Sequence, residues 1–300
     1  SCLVGSEMCI RDRYYLILIP ISRLPFFLIY LLSDFLFFVI YRLVGYRRKV
    51  VFQNIRNSFP EKSEQEIKSI EAKFYHHLCD LIVESIKAFT ITKEEAQLRM
   101  VDRNIDLVNQ FKKTGKHVVL VGGHYGNWEL FAITIGVALE YKSLALFTPL
   151  KNKFMNDKIS SSRSKYGLEM LPIQSIKDKL SDINNDLYAI IFGADQSPRK
   201  GQRAYWMNFL NQETGVQYGT EKFAIDFDAV VIFANIYKMK RGHYEVGYEL
   251  ICESAKETEY GFITKKHTQM LEKVIEKQPE FWLWSHKRWK HKRPEGEALN

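Results

Sequence analysis

The residues best placed to do chemistry lie in one short run, Val118-Val119-Leu120-Val121-Gly122-Gly123-His124-Tyr125-Gly126-Asn127-Trp128-Glu129. An apolar stretch ends in paired glycines, a His follows, and an acidic residue stands five positions later in what reads as the first turn of a helix. Backbone donors and side chains converge where a strand of an α/β sheet runs out into a helix start. A His on such a loop can take a proton from a hydroxyl while a carboxylate fixes its tautomer and stabilises the imidazolium. The spacing predicts Glu129 as that carboxylate, reaching His124 across the turn. The spacing by itself is unselective, because His267 and Glu272 repeat it. Their context is helical, where five residues set side chains about 140° apart, so His267 reads as a solvated helix residue. The plain alternative for His124 is a structural turn histidine.

Stepping outward, residues 117–121 read as a short strand, 129–139 as a helix, 143–147 as a strand and 155–166 as a helix. A buried strand at 187–192 and another at 230–237 follow, the latter with an antiparallel partner at 244–250, and a helix at 261–277. Strands separated by helices imply an α/β class: a mixed sheet flanked by helices. Upstream, Pro60 closes one segment and Ser63 with Glu66 forms a capping box. Ile67, Ile70, Phe74, Leu78, Leu81 and Ile82 then recur at helical spacing, as a core face does.

Residues 1–13 are polar and mixed, resemble read-through of a sequencing adapter, and are set aside as a non-native leader. Residues 14–46 are dominated by Leu, Ile, Phe, Val and Tyr, and 24–41 carry one charge, Asp34. That length is near the lower limit of a bilayer span. The region is too long for the apolar part of a signal peptide and has no small-residue cleavage site after it. It reads as a membrane anchor, spanning or lying in the interface. Pro20, Pro25, Arg23 and Asp34 keep a buried helical hairpin open as the alternative. Arg42, Arg47, Arg48 and Lys49 would hold the domain at 47–300 on the cytoplasmic side.

Aromatics reach 14%, with 20 Phe and 16 Tyr, which suits contact with lipid or a large aromatic core. The net charge of +8 favours anionic partners: phospholipid, phosphorylated glycolipid, an acidic carrier protein or nucleic acid. The four cysteines form neither a CxxC pair nor a Cys/His cluster, which argues against a zinc knuckle or a disulfide framework. The tail interleaves Trp282, Trp284 and Trp289 with Lys287, Arg288, Lys290, Lys292 and Arg293. Such a mixture suits a membrane interface or stacking on nucleic acid. Beside an apolar anchor, the membrane reading prevails and no nucleic-acid partner is expected.

His124-Tyr125-Gly126-Asn127-Trp128-Glu129 resembles the His-(four residues)-acid motif of the lysophospholipid acyltransferase superfamily, and in particular of the lipid A secondary ("late") acyltransferases. Further ordered matches are Tyr46-Arg47-Arg48-Lys49-Val50-Val51 with Asn54, Phe59 and Pro60; Gly193-Ala194-Asp195-Gln196; Phe209, Thr214 and Gly219; and the closing run from Pro279 to Lys290. The resemblance covers nearly the whole chain from Tyr14. It implies a glycerolipid acyltransferase-like fold with an N-terminal membrane helix. It also implies acyl transfer from an acyl-carrier-protein thioester (acyl-ACP) to a hydroxyl of a lipid A precursor, in lipopolysaccharide synthesis at the inner (cytoplasmic) membrane. His124 would be the general base with Glu129 as its partner, and no cofactor or metal would take part. Asn127, Arg163, Asp195 and Arg199 are the candidate substrate contacts. Asp195 reads equally as an orienter of acceptor or of His124 and as a loop cap. Arg163 reads as a phosphate contact or a solvated face, and Arg199, Lys200 and Arg203 form a basic loop of the same kind. Two rival readings stand beside this one: acylation of another membrane lipid (a lysophospholipid or an aminolipid), and a non-enzymatic basic protein bound to membrane or nucleic acid. The anchor holds no acid–base pair. Its expected contribution is confinement to the lipid surface, so a chain beginning near Tyr46 is expected to keep turnover on detergent-dispersed acceptor.

Overall fold

The most apolar of the short runs become central strands of a sheet and are buried along their length, as residues 118–121 and 230–233 are. In a computed structural model, which describes residues 9–176, 179, 186–199, 201 and 203–300, the strands are β1 (Met100–Asp102), β2 (Val118–Gly122), β3 (Lys142–Phe147), β4 (Leu168–Pro172), β5 (Tyr188–Gly193), β6 (Ala204–Phe209), β7 (Gln212–Gln217), β8 (Val230–Lys240) and β9 (His243–Cys252). The main helices are α1 (Phe26–Phe37), α2 (Arg48–Ser58), α3 (Glu64–Lys87), α4 (Lys93–Arg99), α5 (Trp128–Ala138), α6 (Lys153–Ser164), α7 (Gly219–Asp226) and α8 (Phe262–Lys277). Seven strands form one sheet in the order β1-β9-β8-β2-β5-β3-β4, and β6 and β7 pair separately. β2 runs parallel to β5 and β8, β3 runs parallel to β4 and β5, and β9 is antiparallel to β8. The sheet is therefore mixed, as expected. Along β2, Val119 and Val121 join a core that includes residues of α2, α3 and α8, whereas Val118 and Leu120 join one that includes residues of α5. Two buried faces explain why β2 reads as an unbroken apolar run rather than an alternating one.

Four strands went unforeseen. β1 is only three residues long, and β4 is an edge strand carrying Glu169. β6 and β7, neither of which has a clean alternation of polar and apolar residues, flank a two-residue turn, Leu210-Asn211, in which both residues have positive φ, 50° and 59°. Such turns match strand twist, but they are usually signalled by Gly or Asn-Gly. The capping box forms: Ser63 N donates to Glu66 Oε2 at 2.8 Å, and Glu66 N donates to Ser63 Oγ at 3.3 Å.

The anchor differs from expectation in what it touches. Phe26–Val44 is the one helix among the described residues long and apolar enough to cross a membrane. Its exposed side carries Phe27, Leu31, Phe35 and Phe38, while Ile29, Ser33 and Tyr41 are buried against the protein. A partly polar inward side under an apolar outward one is unlike a water-soluble surface helix, and an exposed apolar face of this kind suits lipid. The expected leader 1–13 falls mostly outside the described residues; 9–13 are helical.

The tail corrects its expectation. Trp282 and Trp284 are 2% and 0% exposed and pack edge-to-face at 4.7 Å. Trp289 packs against the same core and Arg288 is buried, so the tryptophans are core residues and not an interfacial belt. Lys287, Lys290 and Lys292 alone keep exposed positions among the basic residues singled out there, since Arg293 pairs with Glu213 at 3.2 Å. Arg47 and Asn54 donate to the carbonyls of Ser285, Trp284 and His286. The segments after the anchor and at the C-terminus, distant in sequence, are thereby one packing unit.

Candidate active site

Gly122 at the end of β2 is in register with Gly193 at the end of β5, and the chain turns away from both strands at the same edge of the sheet. β2 delivers His124 there and β5 delivers Asp195. The side of Gly193 is crowded by the imidazole: a Cβ would stand 3.0 Å from His124 Cε1. The C-terminal segment clamps the loop from outside, with Leu283 N donating to the carbonyl of His124 at 3.2 Å and Gly126 N to that of Phe281 at 3.0 Å.

His124 Nδ1 lies 2.6 Å from Asp195 Oδ1. The other carboxylate oxygen, Oδ2, accepts the His124 backbone N–H at 2.9 Å and Trp282 Nε1 at 2.8 Å. Asp195 is buried with three donors converging on it, a charge-assisted set that locks both its rotamer and the imidazole. Burial presses upward on the Asp195 carboxyl, but His124 and these hydrogen bonds outweigh it and hold it far below the usual carboxylate range. For His124, burial pulls downward, and the charge and hydrogen bond of Asp195, with the charge of Glu129, overcome it to leave the imidazole more basic than usual. With Nδ1–H given to Asp195, the lone pair of a neutral ring is on Nε2, where Gln196 Nε2 stands 3.3 Å away.

The expected contact between His124 and Glu129 is thus corrected: the carboxylate on the ring comes from 71 residues downstream. Glu129 has turned instead to Arg163, which donates from Nη2 at 2.6 Å and from Nε at 2.9 Å in a two-pronged ion pair. Trp128 Nε1 adds a third donor at 3.2 Å. Arg163 is accordingly ion-paired and only partly exposed, and the charge of Glu129 is a lesser one of the influences that raise the His124 ring. Asn127, expected as a substrate contact, is 1% exposed with both ends of its amide engaged: Oδ1 accepts Leu130 N at 2.8 Å, capping α5, and Nδ2 donates to Glu84 at 2.6 Å. Arg199 reaches Thr148 Oγ1, a residue of the cavity wall. Lys200 lies outside the described residues. His267 is also corrected: it is buried, its ring pulled down to about 4 by that burial, and Glu272 holds the β6–β7 turn through Leu210 N.

His124 and Arg163 face a cavity of about 660 Å³, whose wall also includes Gln196, Thr148, Asn156 and Phe223. A second space of about 160 Å³ opens from the same two residues. It runs between the sheet and α5 past Phe131, Ala132, Ala145, Met170, Ile191 and Ala234. Apart from its mouth it is lined by apolar residues, so it suits a hydrocarbon tail. Sequence reasoning missed Gln196 as a neighbour of the base and Trp282 as a support of Asp195. The Gly-Ala-Asp-Gln run after a buried strand was the signal for Gln196, and the closing run from Pro279 to Lys290 that for Trp282.

The sequence pattern of the family described as "Bacterial lipid A biosynthesis acyltransferase" matches residues 12–291. Similar proteins include the "Lipid A biosynthesis lauroyltransferase" of Escherichia coli (strain K12), 22% identical, with 97% of this chain and 96% of that protein covered. The "Lipid A biosynthesis palmitoleoyltransferase" of the same organism is 21% identical, over 84% of this chain and 81% of that one. The "Lipid A biosynthesis acyltransferase" of Shigella flexneri matches to the same extent, 21% identical over 84% and 81%.

Proposed function

Because this chain belongs to the bacterial lipid A biosynthesis acyltransferase family, we propose that it moves a fatty acyl chain from an acyl-carrier-protein thioester to a hydroxyl of a lipid A precursor, with His124 as general base. The observation that carries the mechanism is the 2.6 Å bond from His124 Nδ1 to Asp195, which leaves Nε2 for the cavity. His124 Nε2 takes the proton of the acceptor hydroxyl as that oxygen attacks the thioester carbonyl carbon. The C–O bond forms, the carbonyl oxygen becomes an oxyanion, and Asp195 stabilises the imidazolium. Collapse expels the thiolate, which takes the proton back from Nε2, so the base is regenerated and no net charge remains.

The acyl tail is assigned to the apolar slot beneath His124, where withdrawal from water costs nothing extra. Arg163, held by Glu129 at the mouth of both spaces, is assigned to an anionic group of the substrates or to the developing oxyanion. Glu129 then matters through Arg163 and through its charge on His124. The enzyme is assigned to the inner membrane, with its catalytic domain on the cytoplasmic side. The lipid-type face of α1 and the basic cluster Arg42, Arg47, Arg48 and Lys49 after it support that orientation.

The test is incubation of the purified full-length chain with acyl-carrier-protein thioesters and a lipid A precursor, read by mass spectrometry of the lipid. One added acyl chain is expected. The His124→Ala protein should form product a hundredfold to ten-thousandfold more slowly, as loss of a placed base typically does. Full product formation by a folded His124→Ala chain would end the mechanism.

A further inference from the structure

Beneath the His124 loop lies a polar cluster that the chemistry above does not use. On α3, His77, Asp80 and Glu84 stand at helical spacing and share one face, and each is buried. His77 Nε2 meets the carbonyl of Gly126 at 3.1 Å, and Glu84 Oε2 accepts Asn127 Nδ2 at 2.6 Å, so consecutive residues of the catalytic loop rest on this face. The same face receives the apolar N-terminal helix. Tyr30 Oη donates to Glu84 Oε1 at 2.9 Å, and Ser33 Oγ donates to Asp80 Oδ1 at 2.8 Å. The β8–β9 hairpin supplies the remainder: Tyr244 Oη donates to Glu84 Oε2 at 2.8 Å, Lys238 Nζ to Asp80 Oδ2 at 3.1 Å, and Arg241 Nε to Asp80 Oδ1 at 2.8 Å. Arg241 also pairs with Asp34 of α1 at 2.6 Å.

Two features separate this cluster from ordinary helix packing. Three hydroxyl or amide donors from three different elements meet on the one carboxylate of Glu84, which forms no ion pair among the described residues. A buried carboxylate is costly unless its acceptor sites are filled, so loss of one donor loosens the others. The second feature is the fit of α1 to the hairpin: a Cβ on Gly242, at φ +72°, would fall 1.8 Å from Tyr30 Oη. A helix serving only as a tether needs lipid around it and no such seat.

We propose that Glu84 is a positioning residue through which the apolar N-terminal helix sets the start of α5, by the path Tyr30–Glu84–Asn127, and so sets where His124 and Glu129 stand. Asn127 occupies the pivot, because its Oδ1 caps α5 while its Nδ2 is held by Glu84. The anchor is then part of the catalytic framework, which replaces the division of labour expected from the sequence.

The test rests on the assigned acyl transfer for its kinetic arm and on hydrogen exchange for an arm independent of it. In the full-length chain, Asn127→Asp keeps a capping oxygen but sets a carboxylate against Glu84. A fall in kcat of roughly tenfold to a hundredfold is expected, with KM for the acyl donor unchanged, since small misplacement of a catalytic group costs rate. Adding Glu84→Gln restores a donor–acceptor pair with its polarity exchanged, and kcat should return to within a few-fold of the parent. Space-filling alone would give no such rescue. Tyr30→Phe removes one hydroxyl at the anchor end. It should lower kcat several-fold and speed amide exchange at residues 127–130, while the share of protein bound to vesicles stays the same. Wild-type exchange and wild-type kcat in Tyr30→Phe would overturn the proposal, as would a folded Asn127→Asp chain that Glu84→Gln fails to rescue. If the parent chain acylates no lipid A precursor, the assigned function fails, and the exchange measurement still decides this coupling.

Discussion

Replacing Asp195 by Asn changes one atom of a group that takes three hydrogen bonds, and the consequence can be worked out from the geometry. An amide has a single acceptor oxygen. If that oxygen serves His124 N and Trp282 Nε1, which share Oδ2 in the parent at 2.9 and 2.8 Å, the NH2 group faces His124 Nδ1. The ring must then accept at Nδ1 and carry its proton on Nε2, where the acceptor hydroxyl needs a lone pair. The other orientation sets two N–H donors against an NH2 in a buried site. The lost charge-assisted bond is worth about 2 kcal/mol. The lost attraction between Asp195 and the imidazolium adds about 3 kcal/mol at an effective dielectric near 20. Together, about 5 kcal/mol corresponds to roughly a three- to four-decade fall in kcat, similar to the effect of the same change in a Ser-His-Asp triad. The pH profile carries a second signature. In the parent, His124 is held more basic than usual, so the acidic limb of kcat/KM, where activity rises as the ring deprotonates, should lie above pH ~6.5. Without the carboxylate, the downward pull of burial is opposed only by the charge of Glu129 and the limb should move to lower pH. The assay is the initial rate of acyl transfer from pH 5 to 9 with detergent-dispersed acceptor, with circular dichroism to confirm folding. A folded Asp195→Asn chain within threefold of the parent kcat, or an acidic limb that does not move, would refute this account of His124.

The remaining predictions are brief. Glu129→Ala and Arg163→Ala should each lower kcat/KM by about tenfold or more, and the double variant should be little worse than the poorer single one, because the two form one ion pair; additive losses in a double-mutant cycle would separate their roles. Changing Lys287, Lys290 and Lys292 to Gln should weaken binding to anionic vesicles by up to about 1 kcal/mol per residue at low salt, which co-sedimentation measures. Trp284→Ala, at a position 0% exposed, should instead cost about 3–5 kcal/mol of stability, seen as a lower melting temperature. A chain beginning at Tyr46 lacks Tyr30, Ser33 and Asp34, so it should lose turnover even on detergent-dispersed acceptor, and full activity there would count against a seated anchor.

Local signals in the chain were sufficient for the elements whose cause is local. The apolar run 118–121 followed by glycines, the Ser63–Glu66 box and the apolar stripe of α3 each depend on residues within a few positions of one another, and each formed where expected. The ordered motifs carried the family for the same reason. Which residues meet at the site had a different cause. Asp195 reaches His124 only because β5 lies beside β2 with Gly193 level with Gly122, and no local spacing encodes that crossover. Spacing favoured Glu129, which stands in the next turn but is drawn away by Arg163, 34 residues on. Tail residues chosen for their membrane-like mixture of Trp, Lys and Arg were sorted by burial: the tryptophans and Arg288 pack into the protein, and the three lysines stay in water. The anchor looked like a tether because composition reports mean apolarity. That Tyr30, Ser33 and Asp34 share the side turned to α3 and the β8–β9 hairpin depends on how the helix is rotated against its neighbours, and packing alone sets that rotation.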